Sequence, residues 1–523
     1  MLITNVEQIK DDLSQKYDII DSIDMTKSLS DIKSFLLENK KESFEPSERL
    51  VFFQTLVDQY DYVDAPGKKI IELQNLLNEV DISSCFILIV TTNPEIKLEI
   101  DDITKNYSVD KFNAIDFYII NGSYDKQVTQ INNATCKKMW DHLYVGTDGN
   151  INPCCLADHR FPLGNIEKSD TNEIINSESA KNIRKQMLDG YRPKACKTCW
   201  VREDNNLTSG RIPFNIKEKQ KLNETIEHFQ PTSLDIRLNN ICNFKCRMCS
   251  EYFSSSLRKE NIDLYGKNAI LGHEKILLNS EKKSERTKKL KKILPYVNTS
   301  VKKIYFAGGE PLMTDEHYAI LDKLLSHKHT SLKLEYNTNL SKLTYKNNNV
   351  IDYWKMFKDV QVGASIDASD DIAEYVRHGT IWSEILENIK NIKRDCPHVD
   401  LRITSVAGIL NTENLIRLQK KWIQESRFNE QDFSVNVLIG PTFLSLSALP
   451  RHHKKRISES ILNHINTLCE KQLKDEWHEV LHYMNNNDHT HALKEFKKRN
   501  QVLDVHRNES FAKVFPELID LYD

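Results

Sequence analysis

Three cysteines near the middle of the chain have the clearest potential for chemistry. Cys242, Cys246 and Cys249 lie within eight residues, in the sequence Cys-Asn-Phe-Lys-Cys-Arg-Met-Cys. Three thiolates on one loop can occupy three corners of a 4Fe–4S cube, which needs four ligands. The fourth iron is then open to a small molecule that carries an amine and a carboxylate. The spacing also leaves open a structural zinc ion, for which Cys246 and Cys249 would supply half of the ligands.

Four cysteines upstream form a second candidate site. Cys136 and Cys154 flank an Asp-Gly dipeptide in a C-x12-G-x4-C pattern, and this dipeptide favours a hairpin turn that would bring the two thiols together. Cys196 and Cys199 follow as a Cys-x-x-Cys pair. Four thiolates suit either a fully ligated iron–sulfur cluster or a structural zinc ion. Cys155, next to one of the four, is expected to be a buried thiol.

The cysteine distribution and the composition restrict the class of protein. Eight of the eleven cysteines fall between residues 136 and 249, and because disulfides are rare in a reducing cytosol, this clustering favours metal binding. The formal net charge of −3 gives no reason to expect a nucleic-acid or membrane partner. The longest apolar stretch, residues 85–90, is too short to span a bilayer. The amino terminus lacks a signal-peptide pattern, so we expect a cytoplasmic protein.

The elements that must position these cysteines follow from the hydrophobic pattern between residues 231 and 445. Helical patterns, for example at 316–326 and 382–392, separate strand-like segments. Such an alternation predicts an α/β fold, a parallel sheet covered by helices in a partial (β/α)6 TIM-like barrel. The loop after the first strand carries Cys242, and in such barrels the chemistry lies in these loops. The six predicted strands are Ser233–Leu238, Lys302–Phe306, Leu332–Asn337, Val360–Ile366, Leu401–Val406 and Phe433–Ile439.

The remaining segments complete a four-part organisation. The hydrophobic pattern of residues 1–130 predicts a small α/β domain of unknown role, with strands at 85–91 and 114–120 and a helix at 68–80. Residues 131–230 are loop-dense and cysteine-rich, 231–445 form the barrel, and 446–523 are helical and polar. The lysine-rich run 281–292 is expected to be a solvated helix face.

The spacing Cys-x3-Cys-x2-Cys resembles the cluster motif of the radical S-adenosylmethionine (SAM) superfamily, and the likeness continues downstream. Gly308-Gly309-Glu310-Pro311 closes the second strand and resembles the GGEP motif that binds the SAM amino group. Glycines let the backbone approach a ligand closely, and a glutamate such as Glu310 can accept hydrogen bonds from an ammonium group.

The same resemblance implies further contacts with SAM. Arg377 resembles the arginine that pairs with the SAM carboxylate, to which a planar guanidinium is suited. Residues such as Ser365 and Asp367 bond the ribose in relatives, and the segment 406–410 is expected to hold the adenine through its backbone. Met248 is a departure, because relatives often have an aromatic residue there. Besides the GGEP motif, the implied cofactor contacts are Phe244, Asn337, Asn339, Ser365, Asp367, Arg377 and Leu410.

The resemblance also implies a reaction class. In this superfamily the reduced cluster passes one electron to the sulfonium of SAM, and a carbon–sulfur bond breaks to give methionine and a 5′-deoxyadenosyl radical. That radical takes a hydrogen atom from a substrate C–H bond. The cofactors carry the chemistry, while the protein positions and shields them.

The segment 131–230 resembles the SPASM/twitch auxiliary-cluster module of radical SAM enzymes. The resemblance assigns Cys136, Cys154, Cys196 and Cys199 as ligands of a second cluster, which we expect to be a 4Fe–4S cluster that supports the fold or transfers electrons. The module precedes the barrel, whereas in most relatives it follows it. The chain as a whole is similar to the twitch domain-containing radical SAM proteins.

The substrate and partners are implied only in outline. Relatives with auxiliary clusters often modify ribosomally made peptides, so a peptide is the leading prediction; epimerisation, dehydrogenation and crosslinking all fit. A sugar, nucleoside or amino acid is the alternative substrate class. An external electron donor, such as flavodoxin or ferredoxin, is expected. The alternative of another class is a zinc-stabilised binding protein without catalysis.

Other reactive residues receive structural interpretations. Cys396 falls after a helix and before the fifth strand, at the wrong end of the barrel for chemistry, and Cys469 lies at helical spacing from apolar residues. We expect both to pack in the core. His452 and His453 do not form a spaced ligand pair.

Overall fold

The computed structural model describes residues 134–204, 207–217, 225–227, 229–266 and 282–522, together with four strands in the first 131 residues. The chain divides into two compact units, Met1–Ile131 and Asn132–Asp523. The candidate cysteine sites both belong to the second unit.

The first unit contains a parallel four-stranded sheet in which the strands follow chain order. Both predicted strands are present, at 86–91 and 115–119, and the predicted helix at 68–80 lies outside the described residues. The strands are β1 (Asp18–Asp24), β2 (Arg49–Gln54), β3 (Phe86–Thr91) and β4 (Ile115–Ile119).

The second unit is built around a nine-stranded sheet, with two small two-stranded sheets beside it. Its strands are β5 (His142–Val145), β6 (Asn150–Asn152), β7 (Gly164–Asn165), β8 (Ser233–Ile236), β9 (Lys245–Cys246), β10 (Lys303–Phe306), β11 (Lys333–Thr338), β12 (Thr344–Tyr345), β13 (Asn348–Asn349), β14 (Asp359–Ser365), β15 (Arg377–His378), β16 (Asp400–Ala407) and β17 (Phe433–Val437). The strand order in the large sheet is β17-β16-β14-β11-β10-β8-β5-β6-β7.

Six strands of the large sheet are parallel and adjacent in chain order, which confirms the predicted α/β fold. They pair successively as β8, β10, β11, β14, β16 and β17. Each overlaps one of the six predicted strands, with small differences at the ends. Because parallel strands with helical crossovers all point the same way, their carboxyl ends meet at one edge of the sheet.

Helices separate these strands and cover the sheet. The helix at 382–395 illustrates the pattern that makes a helix cover a sheet. Its buried residues, Ile385, Ile389 and Ile392, repeat at helical spacing in an otherwise polar segment and so form one apolar face. No helix of the described segments is both long and apolar enough to cross a membrane. The α-helices are α1 (Lys138–Asp141), α2 (Thr171–Ile175), α3 (Glu178–Leu188), α4 (Lys197–Asp204), α5 (Arg211–Lys217), α6 (Ser255–Tyr265), α7 (Lys283–Ile293), α8 (Asp315–Ser326), α9 (Val350–Trp354), α10 (Asp370–Val376), α11 (Trp382–Asp395), α12 (Thr412–Gln424), α13 (Arg451–Ile465), α14 (Lys471–Asn486), α15 (Leu493–Arg507) and α16 (Phe511–Val514).

The cysteine-rich segment extends the barrel sheet. Its strand β5 pairs in parallel with β8, the first barrel strand. Strands β5 and β6 form an antiparallel hairpin, and β7 pairs antiparallel with β6. Leu143, Val145 and Ile151 of this hairpin are buried in the same hydrophobic core as Leu234 and Ile304 of the barrel. The two parts of the chain therefore share one core.

The lysine-rich helix α7 is only partly solvated, so the prediction of a solvated face is wrong for one side of it. Lys289 is 1% exposed and its ammonium donates to the carbonyl of Thr147 at 2.9 Å. Arg286 is also buried and pairs with Glu316 at 2.9 Å. The long lysine side chain reaches a backbone carbonyl through apolar surroundings, which attaches α7 to the β5–β6 hairpin.

Candidate functional site

The loop 242–249 leaves the carboxyl end of β8 and folds against a later segment of the chain. Within the loop, β9 pairs antiparallel with β15, so that Cys246 lies opposite Arg377. Phe244 is buried; its N–H points to the sulfur of Cys242 at 3.5 Å, and its carbonyl accepts from the hydroxyl of Ser254 at 2.7 Å. The pairing of β9 with β15 thus fixes the loop at Cys246, and the contacts of Phe244 fix it next to Cys242.

The three thiols of this loop lie in an environment that opposes their ionisation without a metal. Burial raises the pKa of Cys242, and the charges of Glu310 and the other two cysteines raise it further. Burial also raises the pKa of Cys249, to about 12. For Cys246 burial again raises the pKa, while the guanidinium of Arg377 opposes that rise. Binding of a metal must therefore release protons from these thiols.

The spacing of the sulfurs can be compared with the spacing that a single bound ion would require. A tetrahedral zinc ion bound at about 2.3 Å by each thiolate would bring its ligand sulfurs within about 4 Å of one another. Among the described residues, the one group of at least three possible ligand atoms that all lie within 4.8 Å of one another is His452, His453 and Asp520. No three sulfurs of either cysteine group lie this close to one another in the structure.

The sequence Gly308-Gly309 brings the end of β10 against the start of the cysteine loop. Gly308 has a φ of +121°, which a side chain would strain. A Cβ on Gly309 would overlap the carbonyl oxygen of Ile241 and approach the carbonyl carbon of Asn240 to 2.7 Å. The N–H of Glu310 then donates to Ile241 at 2.7 Å. The two glycines are required because two backbone segments meet here.

Glu310 is a buried carboxylate at this junction. Thr338 donates to one oxygen at 2.7 Å, and the N–H of Asn339 donates to the other at 2.7 Å. Burial raises the pKa of Glu310 to about 7, although these hydrogen bonds and the charge of Arg377 oppose the rise. A carboxylate held in this way is prepared to accept a cationic ligand.

Arg377 connects the cysteine loop to the end of β14. Its Nε donates to Asp367 at 2.6 Å, and its Nη1 lies 3.8 Å from the sulfur of Cys246. The second oxygen of Asp367 accepts from the N–H of Val406 at 2.8 Å. The guanidinium therefore stands between a fixed carboxylate and a cysteine sulfur.

The other predicted cofactor contacts lie around the same edge of the sheet. Asn339 donates to the side chain of Asn243, within the cysteine loop, at 3.0 Å. The Oδ1 of Asn337 faces Gly363 across the neighbouring strand, at 2.6 Å from where a Cβ would stand. Ser365 ends β14 and is half-buried. Leu410 follows β16 with its side chain in the hydrophobic core, which leaves its backbone as the part that a ligand could contact.

The second group of cysteines also comes together. Burial raises the pKa of Cys136 to about 12, with the neighbouring charges of Cys154 and Cys199 adding to the rise. Burial likewise raises the pKa of Cys196, and the three other cysteines add to that rise too. Cys155 instead feels mainly Asp235 and Arg237 of the first barrel strand and its extension. It is half-buried rather than fully buried.

An ion pair between the two cysteine groups was missed by sequence reasoning. Arg237 donates through Nε and Nη2 to both oxygens of Asp235, at 2.8 and 3.1 Å. Its guanidinium lies over the ring of Tyr144 at 5.4 Å and that of Tyr305 at 5.6 Å, and its Cβ is 3.2 Å from where a Cβ of Gly308 would stand. The available signal was the Asp-x-Arg spacing at the end of the first strand, which puts both side chains on one face.

The remaining candidates fall outside the site. Cys396 is fully buried, as predicted, and its thiol points to the carbonyl of Ile351 at 3.5 Å. Cys469 is exposed, so the prediction of a core position is wrong; α13 ends at Ile465, before the apolar spacing could reach it.

The paired histidines of α13 share one carboxylate. Nε2 of both His452 and His453 lies 2.9 Å from Asp520. Arg456 donates to Nδ1 of His453 at 3.3 Å, which leaves the Nε2 of His453 as the protonated donor to Asp520. This tautomer makes a hydrogen bond, whereas a metal ligand would need a free lone pair at Nε2.

Two family models match the chain. The model of the SPASM iron–sulfur cluster-binding domain matches residues 136–200, and that of the radical SAM superfamily matches residues 236–418. The first range contains the four upstream cysteines, and the second contains the loop 242–249, Glu310 and Arg377. The order of the two matches agrees with the prediction that the cysteine-rich module precedes the barrel.

A curated relative and several solved structures are similar to parts of the chain. The radical SAM cyclopropyl synthase TigE of Paramaledivibacter caminithermalis is 24% identical over 262 residues, which is 48% of this chain and 49% of that protein. The chain thus spans about half the length of the curated relative it matches. SuiB of Streptococcus suis bound to S-adenosylmethionine aligns over 55% of this chain and 50% of its own, with a TM-score of 0.28 and 17% identity. Native anSMEcpe with bound AdoMet aligns over 49% and 63%, with a TM-score of 0.28 and 20% identity.

Proposed function

Because the chain is a SPASM-containing radical SAM protein, we propose that it reductively cleaves S-adenosylmethionine and abstracts hydrogen from a substrate C–H bond. A 4Fe–4S cluster on the loop 242–249 would supply the electron that breaks the carbon–sulfur bond of SAM and produces the 5′-deoxyadenosyl radical. The observation that carries this proposal is geometric: the cysteine loop, Glu310 and Arg377 come from separate parts of the chain and meet at the carboxyl edge of one parallel sheet.

The residues of this edge have complementary roles in the proposal. Cys242, Cys246 and Cys249 hold the cluster and leave one iron for the amino and carboxylate groups of SAM. Glu310 accepts hydrogen bonds from the iron-bound amino group of SAM, and Arg377 faces the SAM carboxylate. In this proposal Ser365 and Asp367 would bond the ribose and the backbone of 406–410 would hold the adenine. Asn337, Asn339 and Phe244 would complete the surroundings of the cofactor.

We further propose that Cys136, Cys154, Cys196 and Cys199 hold a second 4Fe–4S cluster. Four cysteines complete its ligation, so the cluster would not bind substrate through an open iron. It would instead carry electrons or support the fold. The position of its module beside the first barrel strand supports either role.

The substrate that we propose is a peptide, and the electron donor an external flavodoxin or ferredoxin. Support for a peptide comes from the SPASM-type module, which often accompanies the modification of ribosomally made peptides. Mass spectrometry of candidate peptides, incubated with reduced protein and SAM, tests this part. A mass change in small metabolites and none in peptides would contradict the peptide assignment.

Anaerobic reconstitution with iron and sulfide, followed by reduction in the presence of SAM, tests the reaction itself. We expect 5′-deoxyadenosine from the unaltered protein and none from Cys246→Ala. Cys469→Ala is the matched control, since this exposed cysteine lies outside both groups and should retain full activity. Cleavage of SAM by Cys246→Ala, or bound zinc in place of iron, would overturn the proposal.

A further inference from the structure

The carboxyl-terminal part of the chain makes several buried contacts with the cysteine loop. Residues 500–511, which comprise the end of α15, Asn508 to Ser510 and the first residue of α16, lie beyond the region matched by the radical SAM family model. We call these residues the C-terminal clamp. Their contacts are concentrated on Lys245 and Arg247, the residues on either side of Cys246.

Arg247 is the centre of the clamp. Its side chain is 1% exposed. Nη2 donates to Asp504 at 2.6 Å and to Glu509 at 2.5 Å, and Nη1 donates to Asn500 at 2.7 Å. The guanidinium also lies 3.7 Å from the ring centre of Tyr375. Every partner except Tyr375 belongs to the clamp.

Arg507 holds the other side of Cys246. Its Nη2 donates at 2.8 Å to the carbonyl of Lys245, which is in the peptide bond that precedes Cys246. The same guanidinium pairs with Glu260 of α6 at 2.5 Å and is completely buried. Its Nη1 has no hydrogen-bond partner among the described residues. A buried guanidinium N–H without an acceptor is costly, and this one belongs to a side chain that already contacts the cysteine loop.

The clamp also reaches the strand that pairs with the loop. Glu509 contacts Nδ1 of His378 at 2.5 Å, and His378 follows Arg377 in β15. Asp504 accepts from the hydroxyl of Tyr375 at 2.8 Å and from the N–H of Phe511 at 2.7 Å. The two acids therefore tie together both strands of the small β9–β15 sheet, in which Cys246 faces Arg377.

We propose that the C-terminal clamp is a positioning element of the SAM-cluster site, which holds Cys246 and Arg377 in register and places Arg507 beside the cluster. This inference rests on the proposed function, since it assigns residues to the cluster of that reaction. Arg247 lies between two of the cysteines, so it cannot shift without moving them. Buried charges that lose one partner are strongly unfavourable, and the loop would rearrange to expose Arg247 if the acids were removed.

The second consequence concerns Arg507. Arg507 donates to the carbonyl of Lys245, in the peptide bond that precedes Cys246, so its positive charge would lie close to a cluster that Cys246 holds. Hydrogen bonds to cluster sulfurs and nearby positive charge both favour the reduced state. Arg507 would therefore raise the reduction potential of the SAM cluster, with little effect on the auxiliary one.

The test uses the full-length, reconstituted protein with Asp504→Asn, Glu509→Gln and the double variant. We expect the double variant to lose the SAM cluster on treatment with a chelator while the auxiliary cluster stays, so that about half of the iron remains. Electron paramagnetic resonance distinguishes the two clusters, since SAM perturbs the signal of only one. Glu495→Gln, on the exposed side of the same helix, is the matched control and should retain all iron.

Variants of Arg247 and Arg507 distinguish positioning of the cluster site by the clamp from a role in folding alone. Circular dichroism establishes that each variant is folded, and Arg247→Lys should retain more of the SAM cluster than Arg247→Met. Arg507→Gln should shift the midpoint potential of the SAM cluster to more negative values, with the auxiliary midpoint unchanged. Equal iron loss from both clusters, or an unchanged chelation rate and potential in all variants, would overturn the inference. A wild-type protein without a SAM-responsive cluster would instead contradict the proposed function.

Discussion

The carboxylate of Glu310 shows how burial prepares a single residue for a charged ligand. Its pKa of about 7 lies above the ordinary value of 4.5 because burial disfavours the charged form. The folded chain therefore binds this proton more tightly than the unfolded chain, and the contribution of Glu310 to stability falls as pH rises from 4.5 to about 7. A hydrogen bond from a bound amino group would offset this loss by favouring the carboxylate.

We predict that SAM affinity depends on the ionisation of Glu310. Binding should strengthen as pH rises through about 7 and level off above it, because the carboxylate accepts a hydrogen bond from the SAM amino group more strongly than the protonated acid does. Glu310→Gln should weaken binding roughly tenfold to a hundredfold and flatten the pH dependence. Equilibrium binding of SAM to the reconstituted protein between pH 6 and 8 measures both effects; a variant with unaltered affinity would rule out this role.

Cys196 and Cys155 provide a second test at the residue scale. We predict that Cys196→Ala impairs the auxiliary cluster and spares SAM binding, because the SAM cluster has separate ligands. Cys155→Ala should leave the iron content unchanged, since the four other cysteines of this segment already suffice to ligate one cluster. Iron and sulfide analysis decides the matter, and iron loss in Cys155→Ala would show that this cysteine is a ligand.

At the scale of elements, the site depends on a close crossing of two loops. The loop after β10 passes so near the one after β8 that a Cβ on Gly309 would overlap the backbone of Asn240 and Ile241. The hydrogen bond from Glu310 to Ile241 fixes the same crossing. A side chain here would displace the loop that carries Cys242, and backbone atoms have no rotamer through which to avoid it.

We therefore predict that Gly309→Ala weakens both stability and SAM binding. The free energy of unfolding should fall by about 1–3 kcal/mol or more, as for other overpacked sites. Chemical denaturation and SAM titration of the same preparation measure the two losses. Ala at this position with unchanged stability would mean that the two loops can separate at little cost.

At the scale of the whole molecule, the auxiliary module and the barrel form one body of structure. Strand β5 pairs with β8, and the side chains of the hairpin enter the barrel core. The order of the module along the chain therefore matters less than its place in the sheet. A module attached through a shared core cannot unfold without exposing barrel residues.

We predict that a cavity in the hairpin destabilises both parts together. Leu143 of β5 is 1% exposed, and Leu143→Ala should cost about 2–5 kcal/mol. The absorbance of both clusters should then be lost in one transition during denaturation. Leu462→Ala, at a position that is 43% exposed, is the control. Loss of the auxiliary signal well before that of the barrel would contradict the shared core.

The sequence alone determined the elements and the cysteine groups, because both depend on local patterns. The six barrel strands follow from short apolar segments between helical repeats, and the Cys-x3-Cys-x2-Cys and Cys-x-x-Cys spacings are read directly. Local patterns failed where a single residue had to be placed: Cys469 continues an apolar spacing yet follows the end of α13 and is exposed. Lys289 looks like a surface residue and is buried.

Only the tertiary structure decided which distant residues surround the cysteines. The pairing of Cys246 with Arg377, the contact of Arg247 with Asp504 and Glu509, and the addition of β5 to the barrel sheet each join segments far apart in the chain. No periodicity within one segment encodes such contacts, since they arise when separate elements bury their apolar faces against one another. The pKa of Glu310 has the same origin, because its desolvation depends on everything that packs around it.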